Sequence, residues 1–373
     1  MYMTMMATMA DVSVRAFGPH ATINLQALRH NLSIARQLTR AKLIAVIKAD
    51  AYGHGMLQAA NALADADMLA VARVSEGVKL RQAGITQPIL VLEGFFEAAE
   101  IHQAIDNKLE LVVHQLRQIE LLEIQKTLPA DSLVLWLKVD TGMHRLGIDA
   151  SFTQAYFARL QELNCCHDLP RLMTHFANAD DRQNDFTHKQ IKLFRELTAS
   201  TGAQTSLANS AGIIAWPEAH SDWDRPGVML YGASPMIKTT AAEHALQPVM
   251  TLSSHLLAVN QLKQGDCIGY GSSWCCPEDM PVGVVAIGYG DGYPRHAKSG
   301  TPVLVNGQLT QLVGRVSMDM ITVDLRGINA VEGDPVVLWG EGLPAEQVAA
   351  AAETISYELF CGVTSRVKYQ YQA

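Results

Sequence analysis

Long hydrophobic runs are absent from this chain of 373 residues, and no stretch approaches the roughly 20 apolar residues that a membrane-spanning helix needs. Basic residues are also too few to outweigh the acidic ones, and the net charge is −8. An acidic chain is poorly suited to nucleic acids and to anionic membrane surfaces, so we expect neither as a partner. The first basic residue is Arg15, which leaves the Met-rich beginning without the basic flank of a signal peptide. We therefore expect a cytoplasmic enzyme in which residues 1–17 form a leader that is disordered or joins a β domain.

Cysteine is scarce, and none of the six cysteines has the C-x-x-C spacing of a structural zinc site. Two adjacent pairs occur, at 165–166 and 275–276, whereas Cys267 and Cys361 are isolated. Because disulfides are rare in cytoplasmic proteins, we expect reduced thiols throughout and no bound metal.

The first two thirds of the chain alternate between short apolar runs and helical patterns. Several runs, such as LVLWLKVD at 133–140, are apolar almost throughout, which is typical of parallel strands covered on both faces. About eight strand–helix units predict a (β/α)8 barrel of the TIM type. An open doubly wound sheet is the alternative, but no G-x-G-x-x-G motif follows a strand. The predicted strands are 42–49, 68–73, 88–94, 109–114, 133–140, 171–177, 205–210 and 224–230.

The pattern changes near residue 247, where short strands separated by turn signals begin. Asn306-Gly307 is a typical two-residue hairpin turn. A helix over 344–352 interrupts this region. We therefore expect an α/β protein with a barrel over 18–246 and a mainly antiparallel β domain over 247–373.

Polar residues recur at the predicted ends of the barrel strands, where the active site of such a barrel lies. They are Lys48, Asp50, Arg73, Glu93, His114, Lys138, Asp140, His175, Asn209, Ser210 and Arg225. Since a polar group at the end of a buried strand is costly unless it is used, this recurrence indicates an active site.

Lys48 ends a buried strand in the segment AVIKADAYGHG. Burial lowers the pKa of a lysine, and a neutral amine can attack an aldehyde cofactor. A lysine at the barrel rim, paired with Asp50, explains the same pattern equally well. Asn209, Ser210, Gly227 and Val228 follow the last two strands, the usual phosphate position in these barrels, although turn formation alone would also suit them. Together, an amine and a phosphate site favour pyridoxal phosphate over a sugar phosphate.

The Lys48 segment closely resembles the cofactor-lysine motif of alanine racemases. The resemblance continues, in the family's order, through KVDTGMHRLG, THFANAD, ANSAGI, DRPGVMLYG, GYGSSW, AIGYGDGYPR, GRVSMDM and SYEL. It runs from about Ala45 to Glu358 and so covers both predicted domains. It implies a pyridoxal-phosphate-dependent isomerase that interconverts L-alanine and D-alanine as a homodimer with shared active sites. Such an enzyme supplies D-alanine for peptidoglycan or allows alanine catabolism.

The resemblance also implies a role for individual residues. Lys48 matches the lysine that carries the cofactor and acts as one catalytic base, and Tyr270 matches the second base, contributed by the other subunit. The residues that match cofactor-binding positions or strand-end phosphate positions are Tyr52, Arg145, His175, Asn209, Ser210, Arg225, Gly227, Val228 and Tyr357. Arg145 and Met318 match the substrate site, supported by Asp319 and by Lys138, a lysine that is often carbamylated in this family. The substrate corridor is implied to contain Tyr289, Arg295, Arg315, Asn178 and Asp180.

Racemisation removes the α-proton from one face of the substrate and returns a proton to the other, which suits two bases on opposite faces. A pyridoxal-phosphate-dependent decarboxylase of the same fold is the alternative, but such enzymes place a carboxylate where this sequence has Arg225. A racemase of broader specificity is a second alternative, because the side chain at the position of Asn178 varies in the family. A non-catalytic cofactor carrier would need only the barrel, so the β domain speaks against it.

Overall fold

The structure, a computed structural model, describes residues 18–373. The expected leader at 1–17 lies outside these residues. In chain order, the strands are β1 (His20–Asn24), β2 (Lys42–Val46), β3 (Met68–Val71), β4 (Ile89–Val91), β5 (Leu109–Val113), β6 (Leu135–Asp140), β7 (Ile148–Asp149), β8 (Arg171–Met173), β9 (Thr205–Asn209), β10 (Trp223–Arg225), β11 (Met250–Leu262), β12 (Cys267–Ile268), β13 (Trp274–Cys275), β14 (Met280–Val285), β15 (Pro302–Val305), β16 (Gln308–Gln311), β17 (Ile321–Asp324), β18 (Pro335–Trp339) and β19 (Lys368–Gln372).

The helices connect these strands and cover the barrel. They are α1 (Leu25–Leu38), α2 (Lys48–Gly53), α3 (Met56–Ala62), α4 (Val74–Gln82), α5 (Ala98–Asp106), α6 (Leu116–Ile124), α7 (Thr153–Gln161), α8 (Phe186–Thr198), α9 (Ser210–Ala215), α10 (Ala345–Ala351) and α11 (Ser356–Gly362). Among residues 18–373, no helix combines the length and the apolar composition needed to cross a membrane.

Eight parallel strands close into the predicted barrel, in the order β2, β3, β4, β5, β6, β8, β9 and β10, with β10 pairing back to β2. Each expected strand is present, which confirms the (β/α)8 fold. Most of them end earlier than we expected, because the polar residues at their carboxyl ends belong to loops and helices. The strand expected over 42–49 ends at Val46, and Lys48 begins α2.

Helix α1 begins at the predicted cap. The side-chain oxygen of Asn24 accepts a hydrogen bond from the amide of Ala27 at 2.9 Å, which satisfies one of the unpaired donors at the helix start. Leu28, Leu32 and Ala35 are buried on one face of the helix, as the helical spacing predicted.

The second sheet has the strand order β16, β15, β18, β11, β1 and β19, and β14 joins it through β11 and pairs with β17. Its pairings are antiparallel except that of β1 with β19, so the expected mainly antiparallel β domain is confirmed. Asn306 and Gly307 both adopt positive φ angles, 51° and 73°, and connect β15 to β16 as the predicted tight turn.

Strand β1 lies in the second sheet, although its residues fall within the range that we expected for the barrel. It pairs antiparallel with β11 and parallel with β19. Its side chains alternate, with Ala21 and Ile23 buried, which is the pattern of a strand with one face on a core. The chain therefore starts in the β domain and then enters the barrel through α1.

The two parts of the chain share one hydrophobic core, and α11 packs on α2. The ring of Phe360 meets that of His54 edge-on at 5.1 Å, and the hydroxyl of Tyr369 donates to the carbonyl of Gly53 at 3.0 Å. This packing brings the SYEL segment of the β domain to the loop that begins at Lys48.

A disulfide joins Cys267 and Cys275 across the hairpin of β12 and β13. The expectation of reduced thiols throughout is therefore wrong for these two residues. They are direct cross-strand partners, with Cα atoms 3.9 Å apart, a proximity that the sequence does not reveal. Cys165, Cys166, Cys276 and Cys361 are free.

Asn31 ties α1 to the junction between the two parts of the chain. Its fully buried side chain donates to the carbonyls of Leu230 and Gln247 at 2.9 and 2.8 Å and accepts from the amide of Gln247 at 2.8 Å. Asn31→Ala leaves three buried backbone groups without partners and should lower the free energy of unfolding by about 3 kcal/mol. Urea unfolding measures this. The exposed Asn61 bonds only within its own helix, and Asn61→Ala should cost less than about 0.5 kcal/mol; equal effects of the two changes would contradict this account.

Candidate active site

Basic side chains from several strand ends come together at the mouth of the barrel. Lys48 follows β2, Lys138 lies in β6, His175 follows β8 and Arg225 ends β10. Burial lowers the pKa of His175 well below its ordinary value, and Arg225, Lys138, Arg145 and Lys48 lower it further. Because each of these charges acts on one imidazole, the structure brings five of the predicted residues into one cluster, which we call the cationic cluster.

The two lysines of the cationic cluster are poised to lose their protons. Burial, with Arg225 and Arg145 next in effect, lowers the pKa of Lys138 to about 8. Burial and then Arg145 lower the pKa of Lys48, while Glu93 and Glu76 partly oppose the shift. A neutral amine at neutral pH is a nucleophile and a base.

Arg225 is buried and held by neutral partners. Its guanidinium donates to the carbonyls of Thr174 at 2.6 Å and Leu207 at 3.1 Å, and to the hydroxyl of Ser206. Burial lowers its pKa to about 10, so the group stays charged at neutral pH. The terminal nitrogens make these bonds and Nε makes none of them, so a fixed cation with a remaining donor lies in the barrel.

Lys48 is followed by a left-handed turn that sequence analysis did not predict. Ala49, Asp50, Ala51 and Tyr52 have φ angles between 52° and 55°, a conformation that costs an L-residue roughly 1–2 kcal/mol. Four residues held in this way can persist only where surrounding contacts fix them. Here Tyr52 is buried between the rings of Tyr231 and Tyr357, at centroid distances of 4.8 and 5.8 Å.

Two carboxylates hold this turn. Glu76 accepts the amide of Ala49 at 2.9 Å while its second oxygen accepts the amides of Ala72 and Arg73 at 2.8 and 3.0 Å. The carboxylate of Asp50 accepts the amide of Met56 at 2.8 Å and forms no ion pair with Lys48, so the pairing that explained Lys48 as a rim residue does not occur. The Glu76 contribution had a sequence signal, since a glutamate three residues after a helix start is typical of a capping box.

The residues predicted for a phosphate group meet at one place. The hydroxyl of Ser210 accepts the amides of Gly227 and Met229 at 2.8 and 3.4 Å. A Cβ atom on Gly227 would lie 2.9 Å from the hydroxyl of Tyr52, so only glycine allows this approach. Val228 follows at the start of a short 3-10 helix. The carboxamide oxygen of Asn209 instead caps α9 by accepting the amide of Gly212 at 2.9 Å.

A second group of predicted residues lies on the β domain. The amides of Tyr289 and Gly290 donate to the carbonyls of Ser317 and Met318 at 3.0 and 2.8 Å. The guanidinium of Arg315 lies 3.3 Å from where Gly271 would carry a Cβ, directly beside Tyr270. Tyr270 is 69% exposed and Met318 53% exposed, and the side chain of Arg295 also faces solvent.

The two groups of residues are not joined within one chain. Between residues 18 and 373, no hydrogen bond, ion pair or ring contact links Tyr270 to the cationic cluster. The corridor residues predicted on the barrel lie elsewhere, next to Tyr357. Burial raises the pKa of Tyr357 to about 12 with a contribution from Asp180, and Asn178 precedes Asp180 in the same loop, where its carbonyl accepts the amide of Asp181 at 3.1 Å.

Sequence analysis missed Arg366, which fixes the loop of Asp319. Its guanidinium bonds to Asp319 at 2.6 Å and to Asp291 at 3.2 Å. It joins the segments that carry Met318 and Tyr289, two positions predicted for substrate. No sequence signal marked it, because its partners are about 50 and 75 residues away.

Comparison with known proteins agrees with both halves of this arrangement. The family model for the N-terminal domain of alanine racemase matches residues 23–235, and the model for its C-terminal domain matches residues 249–371. The chain belongs to the alanine racemase family. The decarboxylase alternative is not favoured.

Similar members of the alanine racemase family span nearly the whole chain. An alanine racemase of Aeromonas hydrophila is 52% identical over 353 residues, 94% of this chain and 98% of its own length. A biosynthetic alanine racemase of Escherichia coli is 48% identical over the same shares. The crystal structure of biosynthetic alanine racemase from Pseudomonas aeruginosa matches with a TM-score of 0.92 and 42% identity, covering 96% of this chain and all of that one.

Glu76 offers a test of how the left-handed turn positions Lys48. Glutamine has one acceptor oxygen in place of two, so Glu76→Gln should loosen the turn, lower kcat on the order of tenfold and cost about 1–2 kcal/mol of stability. Racemisation assays and urea unfolding measure both effects. Glu100 forms a similar capping box on α5, far along the chain from the site, and Glu100→Gln should reduce stability but not kcat. If both changes lower kcat alike, the turn does not position Lys48.

Proposed function

We propose that this chain interconverts L-alanine and D-alanine with pyridoxal phosphate, using Lys48 of one subunit and Tyr270 of another as the two bases. The alanine reaction is that of its family. The cationic cluster around an amine of lowered pKa is the observation that supports the cofactor and the residue roles. Such a cluster is costly to assemble without a bound anion.

The residues present fit pyridoxal phosphate, which combines an aldehyde, a phosphate, a phenolic oxygen and a pyridine ring. Lys48 supplies an amine for the aldehyde, and Tyr52, Ser210, Gly227, Val228 and Tyr357 would hold the phosphate. Asn209 would contribute only indirectly, because its side chain caps α9. When bound, the cofactor withdraws electrons from the substrate's α-carbon and makes the α-proton acidic.

Three side chains of the cationic cluster would surround the ring. Arg225 is fixed by neutral partners and would donate to the pyridine nitrogen, because a permanently charged donor cannot accept a proton from it. His175 stays neutral, since burial and the nearby cations lower its pKa. Arg145 would meet the phenolic oxygen and the substrate carboxylate. The ring would thus be held by donors and by no carboxylate, which distinguishes this site from that of a decarboxylase.

The two bases have different origins in the dimer that we propose. Lys48 has a lowered pKa and would accept the α-proton on its own face. Tyr270 projects from an exposed hairpin, so a second copy of the chain must bring it to the cluster. A two-fold interface makes both sites equivalent. A tyrosine becomes a base where positive charge lowers its pKa, and the cationic cluster of the other subunit would provide that charge.

The β domain would also set the substrate's size. Met318, Tyr289 and Tyr357 are bulky and would leave room for little beyond a methyl group, with Asp319 held in place by Arg366. Arg295, Arg315, Asn178 and Asp180 would line the corridor. Because Asn178 is a position that varies in the family, broader amino acid specificity remains the second candidate for the substrate class.

We further propose that the enzyme supplies D-alanine for peptidoglycan, since relatives such as that of Escherichia coli are named biosynthetic. Catabolism of alanine is the alternative role. The cytoplasmic location stays a prediction.

Mixed dimers test the shared site. Lys48→Ala and Tyr270→Phe should each abolish racemisation, but mixing the two should restore about one quarter of the activity, because half of the dimers then carry one intact site. The assay follows optical rotation after subunits are exchanged. Lys48→Ala mixed with the double variant Lys48→Ala/Tyr270→Phe is the matched control and should stay inactive. Hybrids without activity, formed from well-folded chains, would rule out the shared site.

Lys138 should react with carbon dioxide to form a carbamate, releasing one proton. Its pKa of about 8 leaves part of the amine neutral, and the product replaces a repelled cation with an anion beside Arg145 and Arg225. Lys138→Ala should lower kcat on the order of tenfold, with partial recovery on adding acetate. The exposed Lys189 provides the control, since Lys189→Ala should change nothing. Full activity of Lys138→Ala, or no response to acetate, would contradict the carbamate.

A further inference from the structure

Tyr270 lies in a hairpin that has little to hold it. Strands β12 and β13 form a sheet of their own with two residue pairs, Cys267 with Cys275 and Ile268 with Trp274. An isolated two-stranded hairpin is marginally stable in water. Tyr270 occupies the five-residue tip between the strands, where Gly269, Gly271 and Ser272 have positive φ angles.

The base of this hairpin is anchored on a small apolar cluster. Ile268 packs there with Cys276, Met280, Val282 and Val313, and Trp274 lies against it. This cluster is separate from the large core shared by the barrel and the main sheet. The hairpin therefore draws its stability from local contacts and has few ties to the rest of the β domain.

The tip itself has one close neighbour. The guanidinium of Arg315 lies over Gly271, whereas the hydroxyl of Tyr270 makes no hydrogen bond to any residue from 18 to 373. Nothing in the chain thus fixes the direction of the tyrosine except the closure of its loop.

The Cys267–Cys275 disulfide provides that closure. We propose that this bond is a redox-sensitive clasp that positions Tyr270, and that its reduction slows racemisation while leaving the barrel site intact. A cross-link between the two ends of a loop removes conformations that the open loop would sample. The inference rests on the proposed role of Tyr270 as a base.

The clasp is accessible to reductants. Cys267 and Cys275 are both exposed, and exposed disulfides are the ones most readily exchanged. The neighbouring Cys276 is buried, and burial raises the pKa of its thiol, so it forms little thiolate and does not compete for either partner. The pairing across the hairpin is therefore specific even though two cysteines are adjacent in the sequence.

Opening the clasp requires a dithiol reductant. One thiolate of the reductant attacks a sulfur of the protein disulfide, the S–S bond breaks, and a mixed disulfide forms. The second thiolate of the reductant then closes its own disulfide, so two electrons pass to the protein and two protons give thiols at Cys267 and Cys275. A disulfide of the same class reverses both steps.

Reduction of the intact, cofactor-loaded enzyme with dithiothreitol tests the proposal. Two additional thiols should become titratable, kcat should fall on the order of tenfold, and KM for alanine should stay within about twofold. The absorbance of the bound cofactor should not change, because Lys48 lies in the barrel. Amide hydrogen exchange should increase between residues 268 and 274, and reoxidation should restore kcat.

Two variants control for other effects of the reductant. Cys267→Ser/Cys275→Ser should have the low kcat of the reduced enzyme and should not respond to dithiothreitol. Cys361→Ser leaves the clasp intact and should keep the full response. The reversible treatment of the unmodified chain keeps the test valid if the double variant folds poorly.

The clasp is overturned if the isolated protein carries free thiols at both positions, if the reduced enzyme keeps its full kcat, or if hydrogen exchange in the hairpin does not change. Failure of the proposed function has a different signature. In that case the oxidised Tyr270→Phe enzyme would racemise alanine at the normal rate, whatever the state of the clasp.

Discussion

Repulsion among buried cations is the constraint on which the rest of the site depends. Arg225, Lys138, Lys48 and Arg145 all act on the imidazole of His175, and burial weakens the charged form of each lysine. The fold accepts this cost because parallel strands direct their carboxyl ends to one mouth of the barrel. Neutral partners fix Arg225, so its charge remains available to a ligand. An anionic, ring-shaped cofactor relieves the repulsion, which explains why chemistry and stability coincide here.

Much of this arrangement could be predicted, because the signals were local. The strands are runs of apolar residues, Asn24 is a typical helix cap, and Asn306-Gly307 has the composition of a tight turn. Strand ends are also where a barrel places its active site, so the positions of Lys48 and Arg225 followed from the order of strands. The resemblance to a family added Tyr270 and the other residues of the β domain, which spacing alone could not have placed.

The remaining features could not be predicted, because they depend on contacts between distant segments. The left-handed turn at Ala49–Tyr52 contains no glycine and is held by Glu76 from another unit of the barrel. Strand β1 pairs with β19, at the opposite end of the chain. The Cys267–Cys275 bond forms because a short hairpin places the two residues opposite each other, and Arg366 reaches acidic partners from two other loops.

The central claim is that Lys48 carries the cofactor within the cationic cluster. Borohydride reduction of the cofactor-loaded enzyme, followed by peptide mass spectrometry, tests it most directly, because reduction makes an amine-linked cofactor permanent. The account predicts one phosphopyridoxyl group per chain, on the peptide that contains Lys48 and on no other. The same group on Lys138 or another lysine, or a chain that retains no cofactor after reduction, would contradict it.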